Sequence, residues 1–125
     1  MNEVSQFDYD RYCNKIRIEI GKHVVHALID TGAAISCLSP ELYDQLSLVA
    51  DYPLQKPTVE KVQCVGKNNI YVKGEITIPL RIAGIELTQK LYVLTGMAIP
   101  LILGMDFIVQ HEVRLDFVSK QLLIL

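Results

Sequence analysis

The sequence has no tryptophan, only three cysteines and no apolar run approaching the roughly 18 to 20 residues of a membrane span. Cys13, Cys37 and Cys64 are odd in number, widely spaced and without a CxxC pair, which argues against a zinc knuckle or a disulfide framework. They read as small buried apolar side chains in a reducing compartment. Charge of one sign is not in excess either: 12 Lys and Arg against 14 Asp and Glu leave −2. Without a basic footprint, no nucleic-acid partner is expected through this domain. Glycine and proline, 7 and 5 in all, nowhere cluster into a linker, so the 125 residues read as one domain's worth of chain. The first fifteen residues carry Glu3, Asp8, Asp10 and Arg11 where a signal peptide would be apolar, so a soluble, cytosolic protein with no membrane partner is expected.

What the chain does have is apolar surface. Half its residues are hydrophobic, enough to close a single core and too many for disorder. Ile16, Ile18 and Ile20 alternate with Arg17 and Glu19, the period of a half-buried strand over residues 15–20, and Gly21-Lys22 makes a turn. Residues 24–29 are almost all apolar, which predicts a strand buried on both faces and running straight into Asp30. Ile70, Val72, Ile76, Ile78, Leu80 and Ile82 fall on even positions and predict a long strand, bent or placed at an edge by Gly74 and Pro79. After Ala83-Gly84, Ile85, Leu87, Leu91 and Val93 form another strand. Val113, Leu115 and Phe117 then face Leu122 and Ile124 across Ser119-Lys120 as a closing hairpin.

Helix signals are short. Ser39-Pro40-Glu41 offers a capping hydroxyl, a proline at the first position and an early acid, predicting a helix over 40–46; a second is expected over 106–111. The class is all-β with one or two short helices, its strands spaced as in small barrels and sandwiches.

The chemistry points to Asp30-Thr31-Gly32, where an apolar strand stops. A carboxylate there must find hydrogen bonds or share its charge to offset desolvation. An Asx turn capped by Asp30 is the plain structural reading, and the tripeptide alone is weak evidence. Its surroundings add more: a further strand at 35–38, the run Leu101-Ile102-Leu103-Gly104 about seventy residues later with a short helix behind it, and between them a hairpin over 62–72 with Gly66-Lys67-Asn68-Asn69 at its tip. In order and spacing over residues 15–117 the chain resembles the retroviral-type aspartic proteases, the retropepsins. Leu103-Gly104-Met105-Asp106-Phe107 is similar in wording to proteases of gypsy-type retrotransposons and to the retroviral-like domains of DNA-damage-inducible proteins.

The resemblance implies a retropepsin-like barrel over residues 15–125 behind an N-terminal extension over 1–14, acting as a homodimeric aspartic endopeptidase on extended, hydrophobic sites, its own polyprotein among them. It implies no cofactor and no metal, and a place in the cytoplasm or within virus-like particles. Asp30 would be the catalytic carboxylate in each subunit, because the chain holds half of a site that needs two. Thr31 would brace the two active-site loops across the dimer axis, and Gly32 would let substrate backbone approach. Leu28, Ala33, Ala34, Ile35, Cys37, Pro100 and Ile102 would bind substrate, and Val65, Gly66, Lys67 and Asn68 would cover it. Viral members pair an acid two positions after the motif glycine with an arginine after the later glycine. Here those positions are Ala34 and Met105, so the loop must be braced differently. The hairpin from Val113 to the end is expected to supply the dimer interface, because residues 6–9 are polar for that role. His23 and His26 lie three apart on a strand and point to opposite faces, which suits a shared metal poorly. Ser36 and Cys37 lack an adjacent base. Two other readings stay open: a catalytically silent dimerisation or peptide-binding module, and a small β-barrel carrier with a cavity inside one chain.

Overall fold

The structure, a computed structural model, describes residues 3–6, 8–9, 14–62 and 70–124. Two short strands, β1 (Glu3–Gln6) and β2 (Asp8–Tyr9), precede the hairpin of β3 (Asn14–Ile20) and β4 (His23–Ile29). Then come β5 (Cys37–Leu38), α1 (Pro40–Ser47), β6 (Lys61–Val62), β7 (Ile70–Ile82) and β8 (Ile85–Leu94). The chain continues through β9 (Leu101–Leu103), α2 (Met105–Gln110), β10 (Val113–Asp116) and β11 (Gln121–Ile124).

Strands β3, β4, β9, β5, β8 and β7 are hydrogen-bonded in that order, and the pairing of Glu19 with Arg81 joins β7 back to β3. A six-stranded barrel results. Closure disposes of the open edges that a flat sheet of this size would present. The alternating residues face inward as the period of two requires: Ile16, Ile18 and Ile20 from β3 meet Ile76, Ile78, Leu80 and Ile82 from β7, all nearly inaccessible to solvent. Burying each such side chain is worth about 1.5–3 kcal/mol. These side chains fill the barrel, which removes the basis for a carrier with a cavity inside it. Ala83 and Gly84, at φ 50° and 84°, are both left-handed, the requirement of the tight turn that joins β7 to β8.

Three expectations need correction. The strand over 24–29 is not buried on both faces: Val25, Ala27 and Ile29 point inward, while Val24 is half exposed and His26 faces out. A barrel wall is a single layer with only one face on the core, so an apolar run there need not mean double burial. The strand over 35–38 shrinks to Cys37–Leu38, because Ile35 and Ser36 belong to the loop after Asp30. In β7 the irregularity falls at Gly74, where the register with β8 shifts, and the ladder passes Pro79 unbroken opposite Thr88.

Ser39 caps α1 by accepting the Leu42 N–H at 3.1 Å, and Leu42 and Leu46 face the core. The closing hairpin is present, but Val113, Leu122 and Ile124 already pack inside the protomer. Its outer strand β11 also pairs with β1, forming a three-stranded sheet of order β1-β11-β10.

Candidate active site

Three short segments cross at one end of the barrel. β9 runs parallel to β4, with Leu28 and Ile29 opposite Ile102 and Leu103, and antiparallel to β5, with Cys37 opposite Ile102. β4 and β5 thus flank β9, and the loop of residues 30–36 must arch from one to the other. The Asp30 N–H continues the ladder to the Leu103 carbonyl at 3.0 Å, which fixes the residue where the strand ends. Its Oδ1 accepts the Gly32 N–H at 2.9 Å, and its carbonyl accepts the Ala33 N–H at 3.2 Å. The Asx turn anticipated as the plain reading therefore exists, and it aims the carboxylate. No described residue donates to Oδ2. A side chain on Gly32 would begin 3.2 Å from Oδ1, crowding the carboxylate.

The loop is braced by a pair of residues that stand in for the missing acid and arginine. Asp106, in the first turn of α2, accepts the Ser36 N–H at 3.0 Å, the Ser36 hydroxyl at 2.5 Å and the N–H of Phe107 at 2.7 Å. Ser36 Oγ in turn accepts the Gly104 N–H at 2.9 Å. Ser36 is fully buried and Asp106 half-buried, so the serine end of this chain of bonds is shielded from water's competition. Backbone bonds from Met105 N to Ala33 O and from Asp106 N to Ala34 O tie the same two segments. Gly104 is obligatory: a Cβ there would lie 2.6 Å from the Ala33 carbonyl oxygen and 2.7 Å from that of Ile35.

Asp30 opens on a cleft of about 720 Å³. Gly32, Ala33, Ala34, Ile35, Cys37 and Ile102 line it as expected. Leu28 and Pro100 do not reach it within a protomer: Leu28 is half-buried on the face of β4 that points away from the barrel core, and Pro100 is exposed at the start of β9, its carbonyl taken by the Ser39 N–H. Thr31 is exposed beside the cleft. Val65, Gly66, Lys67 and Asn68 lie outside the described residues. The rest of the wall comes from Val59, Lys61, Val62, Ile70, Leu94, Gly96, Met97, Ala98 and Ile99. Beneath it, Cys37, Val72, Tyr92 and Leu94 form a second apolar cluster. Asp30 is the only carboxylate among the described lining residues. One carboxylate at the mouth of an apolar cleft can polarise a water or receive a proton, but it cannot supply acid and base together.

The family model described as "gag-polyprotein putative aspartyl protease" matches residues 16–110. The chain belongs to this aspartyl protease family. The match spans Asp30, the crossing segments and α2 together. Among solved structures, the retroviral protease-like domain of Ddi1 from Leishmania major is similar with a TM-score of 0.74 and 22% identity, covering 92% of this chain and 90% of that one. The EIAV protease in complex with the inhibitor HBY-793 is similar at TM-score 0.70 and 20% identity, over 88% of this chain and 99% of that one. A retropepsin-like aspartic protease from Rickettsia conorii follows at 0.61 and 21%, covering 99% and 89%. These likenesses establish the retropepsin fold. A search of curated proteins returned no match.

Sequence reasoning passed over both bracing residues. Ser36 reads as a stray hydroxyl without a base, and Asp106 as a helix start. The signal available was their position, Ser36 two residues after Ala34 and Asp106 directly after Met105, the two positions where the usual brace is missing. The wall from Gly96 to Ile99 was also missed, because a Gly-Met-Ala-Ile stretch between strands reads as an ordinary loop.

Proposed function

We propose that this family member is an aspartic endopeptidase, acting as a homodimer in which Asp30 of each protomer faces the other across a twofold axis. The observation that carries the proposal is Asp30 itself: a single carboxylate per chain, aimed by the Gly32 N–H at the mouth of an apolar cleft, with Oδ2 left for a partner. Aspartic proteolysis uses two carboxylates about 3 Å apart sharing one proton, a geometry taken here from that general case. The ionised member removes a proton from a water as it attacks the peptide carbonyl, and the protonated member gives its proton to the carbonyl oxygen. The tetrahedral product then collapses, with the proton delivered to the departing amine. A twofold dimer is the arrangement by which half a site becomes whole. The pair titrates as a unit, so activity is highest on the acidic side of neutrality.

The apolar wall supports extended substrates with hydrophobic residues beside the cleaved bond, laid in as an added strand. Thr31 would brace the paired loops, and residues 65–68 would cover the bound peptide. A polyprotein containing this chain, in the cytoplasm or within a particle, is the substrate that fits the family. Asp30→Asn should cost at least about 10²- to 10⁴-fold in peptide cleavage with the fold intact by circular dichroism. If the variant cleaves as fast as the parent, the mechanism is wrong. If the parent binds peptides but cleaves none across a random-sequence library between acidic and neutral pH, the chain is a peptide-binding module.

A further inference from the structure

Residues 53–60 lead from α1 to β6 and carry no buried side chain, yet Val59, and Lys61 and Val62 just beyond, form one wall of the cleft. Packing holds this segment at few points, Leu54 against Gly74 among them. Hydrogen bonds do most of the holding: the Val72 N–H reaches the Glu60 carbonyl at 2.9 Å and β6 pairs with β7 at Lys61 and Val62, while over residues 55–58 the bonds converge on one residue of β7. Gln55 and Glu75 exchange both backbone bonds, at 2.9 and 3.0 Å. The Glu75 carboxylate, 7% exposed as a side chain, accepts the Thr58 N–H and the Thr58 hydroxyl, each at 3.0 Å and both on Oε2. Since the Thr58 hydroxyl spends its one proton on Glu75, its contact with Tyr92 at 3.4 Å runs with the tyrosine as donor. Lys90 Nζ stands 3.9 Å from Glu75 Oε1 and 5.7 Å over the Tyr92 ring. Gly74, next to Glu75, leaves room for Leu54, whose side chain a Cβ would strike at 2.5 Å.

A carboxylate sealed against the barrel wall is costly unless it is partnered, and here both of its side-chain hydrogen bonds come from Thr58, one residue ahead of the cleft wall, with Lys90 as the facing cation. We propose that Glu75 is a positioning residue for substrate binding: it clamps Thr58 and so holds the start of the wall at Val59, ahead of the stretch that pairs with β7 directly, at the spacing a bound peptide needs. Peptide affinity then depends on a carboxylate that touches no substrate. Thr58 donors hold the Glu75 carboxyl below the usual carboxylate range, against the opposing effect of burial, so the clamp stays charged in the acidic range where the proposed chemistry runs.

The proposal rests on the peptide-cleaving reading, and its test separates the two. In the full chain, Glu75→Ala should raise KM for a quenched-fluorescent peptide about tenfold, with kcat within about twofold, and weaken a statine-type peptide inhibitor in parallel. Hydrogen exchange over residues 55–60 should accelerate. Glu75→Gln keeps an oxygen able to accept both Thr58 donors and should recover most of the affinity. Thr58→Val, which loses only the hydroxyl, should give an intermediate effect and carries the test should Glu75→Ala fail to fold. A loss confined to kcat, or KM and exchange unchanged in Glu75→Ala, overturns the clamp. Inhibitor affinity and exchange need no turnover, so a parent that cleaves nothing sinks the protease reading while those two measurements still judge Glu75.

Discussion

Asp106 takes three donors on one carboxylate, and two of them come from a serine seventy residues earlier in the chain. Such a network is worth most when complete, because each buried group left without its partner keeps the full cost of desolvation. Ser36→Ala strands the Gly104 N–H and removes one donor from Asp106, and should lower stability by about 1–3 kcal/mol, read as a fall in the urea midpoint at constant slope. Gly104→Ala should cost a similar amount or more, since the added methyl overlaps two carbonyl oxygens, one of which, on Ala33, is fixed by the Met105 N–H. That the ordinary acid–arginine brace is absent can be read from Ala34 and Met105. Its substitute could not be, because Ser and Asp are common residues and only the crossing of two distant segments gives these two a shared purpose.

The strands themselves were largely legible, since alternation of apolar and polar residues is a local property that a barrel wall repeats along its length. The even-numbered run from Ile70 to Ile82 became a single strand with the same bounds. Legibility failed where an element's fate depends on what lies across from it, as with the exposed face of β4 and the two-residue remnant β5. The turn between β10 and β11 shows a further consequence. Asp116 accepts the N–H groups of Val118 and Ser119 at 3.0 and 3.2 Å, and these bonds, those from Ser119 foremost, hold its carboxyl below the usual range. A carboxyl with a lowered folded-state value contributes stability that is present above its unfolded value and lost as pH falls through the folded one. Hydrogen exchange in this hairpin should therefore stay slow down to about the ordinary carboxylate value of 3.8 and rise below it, and Asp116→Asn should flatten that dependence.

For the protomer as a unit, acid acts in one direction. His111, stacked on Phe107 at 5.1 Å with its Nε2 3.0 Å from Gln89 Oε1, is held below its usual 6.5, chiefly by burial. The folded chain thus resists a proton that the unfolded chain accepts, and stability declines as pH drops through 6.5 until the folded value is passed. Glu75 and Asp116 extend the decline to lower pH. The urea midpoint should fall steadily from pH 7 to pH 4, while cleavage rises over part of the same interval, leaving a narrow working range. With the proposed shared site, activity depends on assembly. Specific activity should drop on dilution, and a mixture with excess Asp30→Asn chains should lose more activity than the fraction of parent chains removed. The proposed dimer rests on the one Asp-Thr-Gly that the sequence displays, whereas the pairing of β1 with β11 within the chain was not legible, because the polarity of the early residues hides it. The crossing at Asp30 has one more effect, on timing. β4 can find β9 only after residues 101–103 have been synthesised, so the loop carrying Asp30 closes among the last contacts made, across a large separation in sequence. The loop that carries Asp30 thereby stays unformed until nearly all of the stretch that the family model matches has emerged.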